Sequence, residues 1–289
     1  MKGRKGIILA GGLGTRLYPI TSGVSKQLLP VYDKPMIYYP LSVLMLTGIS
    51  EIAIITTEQD QAQFVKLLSD GSQWGISLTF IIQPKPDGLA QSYILAESFL
   101  NDCPSVMILG DNIFFGHNLQ ELLFEANYRK IGATVFGYHV ADPERYGVAY
   151  TDANDNIIKI VEKPTKPLFN TAVTGLYFMD SSAPKRAKNI KPSKRGELEI
   201  TTLLETYLSD STLKMKRLGR GYAWLDTGTC TSLLEAGNFV KAIQSRQGLQ
   251  VGCPEEIAFQ KNWIKSSDIR NLAKKYKSNR YGQYLMSLI

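Results

Sequence analysis

IILAGGLGTRLYPITSGVSKQLLP, residues Ile7 to Pro30, runs from an apolar segment into a loop that holds three glycines within four residues. Gly11, Gly12 and Gly14 follow the apolar segment directly, and Arg16, Pro19 and Lys26 lie just beyond. A short apolar run bounded by glycines predicts a strand buried on both faces, as parallel sheets require. Glycine lets backbone approach a ligand closely and takes up positive φ at low cost. Successive exposed N–H groups in such a loop make a concavity for anions. In open α/β sheets ligands sit beyond the carboxyl ends of strands, which is where this loop falls. It therefore reads either as a structural turn or as a phosphate cradle. The cations Arg16 and Lys26 beside it favour the cradle.

Outward from this loop the chain alternates. EIAIITT, SLTFIIQ, SVMILGD and ATVFGYHV read as further strands. PMIYYPLSVLMLTGI, broken by Pro40 or starting there, QAQFVKLLSDG, LAQSYILAESFLN and NLQELLFEANYR read as helices between them. Strand–helix alternation at this pace predicts right-handed βαβ units and a mostly parallel sheet covered on both faces. After residue 145 the rhythm changes. YGVAYTDANDNIIKIVEKP reads as a hairpin turning at Asp152 to Asn156, TGLYFMD as a strand and GELEITTLLETYLSD as a helix. LKMKRLGRGYAWLD gives strands flanking Gly219 and Gly221, and the chain from Thr229 onward is mostly helical. The expected fold is one α/β domain with inserted β structure and C-terminal helices, without internal repeats.

Composition narrows the function classes. Hydrophobic residues make up 44% and charged residues 20% of 289, as in ordinary globular proteins. No stretch approaches the ~18–20 apolar residues of a membrane span. The apolar run near the N-terminus is too short for the ~7–15-residue core of a secretory signal. The three cysteines lie far apart without metal-ligand spacing, which suits structural thiols in a reducing, cytoplasmic setting. With His117 and His139 the only histidines, a His-rich metal site is excluded. The net charge of +7 concentrates partly near 189–197 and 271–280. No nucleic-acid module accompanies these runs, so small anionic ligands are expected rather than DNA or RNA.

Two familiar glycine motifs fail. The dinucleotide fingerprint G-x-G-x-x-G, read from Gly12 and Gly14, meets Leu17 where its third glycine belongs. No Gly-Lys-Ser/Thr triplet completes a P-loop. The run GGLGTRLYPITSGVSKQLLP instead resembles the signature loop of sugar-1-phosphate nucleotidyltransferases, and more narrowly of the thymidylyltransferases that act on glucose 1-phosphate. IQPKPDGLAQ, LGDNIF, RYGV, VEKP, VTGLYF, RGELEIT and WLDTGT match in the same order, so the resemblance covers nearly the whole chain.

That resemblance implies a Rossmann-like nucleotidyltransferase domain over 1–240 with a helical extension over 241–289 for oligomer or regulatory contacts. It implies transfer of a thymidylyl group from dTTP to glucose 1-phosphate, releasing pyrophosphate. Gly11, Gly12, Gly14 and Thr15 would wrap the triphosphate, Arg16 would stabilise the departing pyrophosphate, and Lys26 would bridge phosphates at the reacting centre. Asp111 and Asp226 would hold Mg²⁺. Lys163 and Arg195 would grip the sugar phosphate, and Glu162 the sugar hydroxyls. Tyr146, Gly147, Val173, Asn112 and Trp224 would line the sugar pocket. Gln83 and Gly88 would read the base, with Gln27 near the deoxyribose. The family expectation further includes a homotetramer inhibited by dTDP-rhamnose between subunits, near Gly116, His117, Arg220 and CPEEIAFQKNW. There Gln260 stands where arginine is expected, which predicts weaker inhibition. Rival readings are a UTP-using uridylyltransferase, a non-catalytic regulatory subunit and a metal-dependent glycosyltransferase. The last commonly carries Asp-x-Asp, whereas this chain has Asp111-Asn112-Ile113.

Overall fold

The computed structural model describes residues 3–12 and 14–289; Met1, Lys2 and Leu13, and with the first two part of the basic start of the chain, lie outside the described residues. The strand Lys5–Ala10 forms from the apolar run before the glycines. It pairs in parallel with Glu51–Thr56 on one side and Ser105–Leu109 on the other, and Glu51–Thr56 pairs in parallel with Ser77–Ile82. Alternate side chains of this first strand enter opposite layers. Ile8 and Ala10 join a core with Leu44, Ile54, Phe64 and Ile108, whereas Ile7 and Leu9 join one with Tyr93, Met107 and Leu204. The period of two thus fills both faces of the sheet, as the doubly apolar strands predict.

The sheet departs from a purely parallel succession at Thr171–Met179. This strand runs antiparallel to Ser105–Leu109 and to Ala133–His139. Ala133–His139, read in sequence as one more strand of the alternating series, pairs in parallel with Leu213–Leu218. The hairpin Gly147–Thr151 with Ile157–Glu162 attaches beside Thr171–Met179. The helix expected over LAQSYILAESFLN is divided into Gln91–Leu95 and Glu97–Leu100. Pro40 falls at the third position of Tyr38–Leu46, where its missing N–H removes no intrahelical bond.

A separate two-stranded ribbon matters most for the site. Asn112–Gly116 pairs antiparallel with Tyr222–Asp226, placing Asn112 opposite Asp226. The first of these strands was not expected from sequence, because Gly-Asp-Asn reads as a turn. The strand that was expected to end at Asp111 stops at Leu109, and Asp111 sits in the bend between Ser105–Leu109 and the ribbon. Leu213–Leu218 and Tyr222–Asp226 flank the glycines as predicted but pair with different partners. The helix Cys230–Gln247 is capped by Thr229, whose hydroxyl accepts from Ser232 N, and it ends at left-handed Gly248. It runs across residue 240 and packs Ala236 and Val240 against Leu17, Met36 and Ile113.

Candidate active site

The glycine loop is shaped by close approach. A Cβ on Gly11 would lie 2.1 Å from Gln83 Oε1, so glycine leaves that side chain room where it stands. Gly14 adopts φ 63°, and its carbonyl accepts from Leu17 N at 2.9 Å and Thr21 Oγ1 at 2.8 Å. Thr15–Leu17 forms a short 3₁₀ turn. Its Leu17 is buried, an anchor worth about 1.5–3 kcal/mol, while Arg16 stays exposed beside it.

Lys26 opens a second 3₁₀ turn, Lys26–Leu28, and is buried. Its Nζ donates to Asp111 Oδ2 at 2.5 Å. Asn112 Nδ2 donates to the other oxygen, Oδ1, at 2.9 Å. Thr227 ties the two carboxylate segments together, its N and Oγ1 both donating to the Asp111 carbonyl. Asp226 accepts from Arg145 Nη2 at 2.8 Å. Burial pushes the Asp226 carboxyl up, Arg145 pulls it back down, and the Asp111 charge pushes it up again.

These residues enclose one cavity of about 230 Å³, lined by Gly12, Gly14, Thr15, Arg16, Lys26, Gln27, Asp111, Asp226 and Gly228 among others. Among the described residues no three metal-binding side chains cluster. Two facing carboxylates suit an ion that prefers hard oxygen ligands, keeps its waters and shares substrate phosphates, which is the habit of Mg²⁺. The donor set therefore fits the expected metal.

A neighbouring cavity of about 260 Å³ shares Gly12, Gln27 and Asp111 and extends to Gln83, Pro86, Gly88, Leu89 and Glu197. Gln83 is buried and donates from Nε2 to Gln91 Oε1 at 2.7 Å, while Gln91 donates to Asp87. Gly88 has φ 107°, and a Cβ there would sit 2.4 Å from the Leu198 carbonyl oxygen.

Of the residues expected at the sugar, Gly147 and Glu162 lie on the hairpin and Asn112, Val173 and Trp224 on other strands. Tyr146 lies 5.0 Å, centroid to centroid, from Trp224, whose Nε1 donates to Asn112 Oδ1 at 2.7 Å. Asn112 Oδ1 also accepts from Gly175 N, so this buried side chain stitches the ribbon to Thr171–Met179. Gly175 falls where the pairing register of that strand shifts, between Val173 and Tyr177. Val173 is buried against Gly137 in that register. Gly147 faces Glu162, whose Oε2 lies 3.4 Å from the position of a Cβ. Burial raises the Glu162 carboxyl, Lys163 lowers it, and Glu199 raises it further. Lys163 has φ 41°, an uncommon conformation for lysine, and its N donates to the Tyr146 carbonyl. Arg195 contacts Glu199 at 2.8 Å, Glu162 at 3.4 Å and Glu197 at 3.6 Å.

Residues 5–243 match the nucleotidyl transferase family. A glucose-1-phosphate thymidylyltransferase of Xanthomonas campestris pv. campestris is 60% identical over 288 residues, covering 100% of this chain and 98% of the relative. One from Neisseria gonorrhoeae is 56% identical, covering 99% of each. The chain belongs to the glucose-1-phosphate thymidylyltransferases of the nucleotidyl transferase family. A solved structure from Bacillus anthracis, described as a candidate thymidylyltransferase of this kind in complex with a sucrose, is 43% identical and superposes with a TM-score of 0.76 over 82% of this chain and 95% of that one. UDP-glucose pyrophosphorylase, at 24% identity and a TM-score of 0.74, shares the fold over 85% of this chain and all of that one.

Of the residues expected at the site, Gly12, Gly14, Thr15, Arg16, Lys26, Gln27, Asp111 and Asp226 line the first cavity and Gln83 and Gly88 the second, whereas those expected at the sugar, with the exposed Arg195 and Lys163, lie outside both linings. Sequence reasoning assigned nothing to Arg145, Thr227, Gly175 or Gln91. The motif RYGV contained Arg145, but only folding brings it to Asp226. Two regulatory candidates separate. Gly116 and Gln260 line a cavity of about 590 Å³ whose lining, among the described residues, includes Glu121 and Glu256 and no lysine or arginine. Arg220 lines a different cavity with Tyr138 and Arg217, and His117 appears in the lining of neither.

Proposed function

We propose that the cleft joins dTTP and glucose 1-phosphate into dTDP-glucose by direct attack, with the nucleotide in the cavity of the glycine loop. An oxygen of the sugar phosphate attacks the α-phosphorus, and the bond from that phosphorus to the bridging oxygen of the β-phosphate breaks, so pyrophosphate leaves. The nucleophile is already an anion near neutral pH and needs no general base. The obstacle is repulsion. Two like charges ~4 Å apart cost about 4 kcal/mol at an effective dielectric of ~20, and several such pairs arise here. Fixed cations and main-chain donors must offset it.

The observation that carries this reading is the ribbon pairing that sets Asp226 across from Asn112, next to Asp111 and Lys26, at the edge of the glycine loop. Asp111 and Asp226 would hold Mg²⁺, which when bound would neutralise phosphate charge. Gly11, Gly12, Gly14 and Thr15 bind the triphosphate through main-chain N–H groups. Arg16 holds the leaving pyrophosphate. Lys26 holds phosphate oxygens at the reacting centre, each charge-assisted contact contributing roughly 1.5–3 kcal/mol. Lys163 and Arg195 bind the sugar phosphate, Glu162 and Gly147 the sugar, and Tyr146, Val173, Asn112 and Trp224 form its walls. Gln83 and Gly88 read the base, with Gln27 near the deoxyribose. One methyl distinguishes thymine from uracil, which limits discrimination to about 1–3 kcal/mol, so partial use of UTP is expected.

The reading extends to cytoplasmic residence and to a homotetramer inhibited by dTDP-rhamnose at a separate site between subunits, near Gly116 and Gln260. Gln260 Nε2 donates to Glu256 at 3.0 Å, and weaker inhibition follows from the missing positive charge. The deciding test is pyrophosphate release from a matrix of nucleotides and sugar phosphates with Mg²⁺. dTTP with glucose 1-phosphate should be the best pair. A tenfold preference for UTP, no release at all, or full rates in chelator each refutes a named part of the proposal.

A further inference from the structure

Both carboxylates assigned to the metal already carry a cation from this chain. Lys26 Nζ lies on Asp111 Oδ2, and Arg145 Nη2 lies 2.8 Å from Asp226 Oδ2. The two cations differ in their alternatives. Lys26 is buried, and among the described residues its Nζ donates to Asp111. Arg145 has a second carboxylate, Asp142, which its Nη1 reaches at 2.6 Å, and its guanidinium lies 5.2 Å from the centroid of the Tyr146 ring. Its side chain is 37% exposed, so water can solvate whatever part of the fork is released. The guanidinium fork can therefore leave Asp226 and keep Asp142 and the aromatic face, a small rearrangement for an arginine.

Without a counter-charge, Asp226 would face Asp111 across the cavity, and two like charges there would repel. Arg145 relieves this and fixes the direction of the Asp226 carboxylate before any divalent ion arrives. The same contact occupies an oxygen that Asp226 would offer to a bound ion. Gly228 lies against the pair: a Cβ at this position would stand in tight contact, 3.2 Å, with Asp226 Oδ2 and in ordinary contact, 3.9 Å, with Arg145 Nη2.

We propose that Arg145 is a positioning residue that acts as the built-in counter-cation of Asp226 and yields Oδ2 to the divalent ion on loading. Arg145 and the metal thus compete for one oxygen. Because Arg145 ends the turn that leads into Tyr146, loading on Asp226 also changes the support under the sugar-side wall. The inference rests on the assignment of Asp226 as a metal ligand.

The test is Mn²⁺ binding to the full-length protein without substrates, read from the electron paramagnetic resonance signal of the free ion. The wild type is compared with Arg145→Ala, Arg145→Lys and Asp226→Asn. Competition predicts that Arg145→Ala binds Mn²⁺ at least fivefold more tightly. Arg145→Lys, which keeps a charge but loses the fork, should fall between it and the wild type. Asp226→Asn should bind at least tenfold more weakly. A damaged fold weakens binding, so tighter binding is an outcome that a merely structural role does not produce. Unchanged or weaker binding in both Arg145 variants, with Asp226→Asn weakened, overturns the counter-cation and leaves the metal assignment standing. Unchanged binding in Asp226→Asn overturns both.

Discussion

Lys26 and Lys163 are two lysines proposed to bind phosphate, but the chain prepares them differently. Lys26 is 8% exposed in its side chain and already bonded to Asp111 at 2.5 Å. Lys163 is 37% exposed and lies 3.7 Å from Glu162. The same contrast extends to their neighbours. The surroundings of Lys26 are buried turns and a strand ribbon, whereas Arg195, proposed to bind the sugar phosphate and 43% exposed, is shared among three glutamates. Ordering a long side chain costs about 1.5–2 kcal/mol. Around Lys26 folding has largely met that cost; around Lys163 and Arg195, on the proposed reading, the substrate would. On the proposed reading, the contrast teaches that charge is fixed in advance at the reacting phosphates and left adjustable where glucose 1-phosphate would enter. Losses on the first side should fall on kcat, and losses on the second on KM.

The largest expected effect tests the fixed side. Asp226→Asn should lower kcat at least ~100-fold, the scale of removing one organised electrostatic contact, with cooperative unfolding retained. Near-normal turnover would remove Asp226 from the reaction. The lysines then test the comparison directly. Lys26→Met should reduce kcat by roughly 100-fold with little change in KM for glucose 1-phosphate. Lys163→Met should instead raise that KM by about tenfold, one charge-assisted contact, with a smaller loss in kcat. Steady-state kinetics showing the reverse split would break the distinction between the two sides.

The glycine loop, the first four parallel strands and the hairpin were legible in Ile7–Pro30, in the apolar runs and in Asp152–Asn156, because local composition specifies them. What was not legible is non-local. Asn112–Gly116 takes its partner from Tyr222–Asp226, far along the chain, and Gly-Asp-Asn by itself gave a turn. The antiparallel course of Thr171–Met179 depends on neighbours that periodicity does not name. Asn112 was read as a sugar contact, yet its Oδ1 is shared by Trp224 and Gly175, and its Nδ2 binds Asp111. Its polarity was visible, but its direction was not. Motif resemblance located the candidate residues, and it could not reveal Arg145, whose role depends on a distance.

Smaller effects sharpen the picture of the adjustable side. Burial holds the Glu162 carboxyl above its ordinary value, so it protonates earlier on acidification than an exposed glutamate. Its acceptor capacity is present at neutral pH and fades as pH falls through that raised value. KM for glucose 1-phosphate should therefore rise on acidification. Glu162→Gln should flatten this contribution, measured beside the wild type so that the substrate's own titration cancels; identical profiles would exclude Glu162 as the cause. The smallest expected effect is Gly11→Ala. The added methyl meets the far end of Gln83, a side chain that can shift. KM for dTTP should rise a few-fold, about 1 kcal/mol, with kcat nearly unchanged.

The ribbon between Asn112–Gly116 and Tyr222–Asp226 has one more consequence. The exposed bend at Asp152 to Asn156 lies between its two strands in the chain. A polypeptide divided at that bend would leave one carboxylate on each fragment. Turnover by the mixed halves would then report their reassociation, making this cleft a natural reporter for fragment complementation.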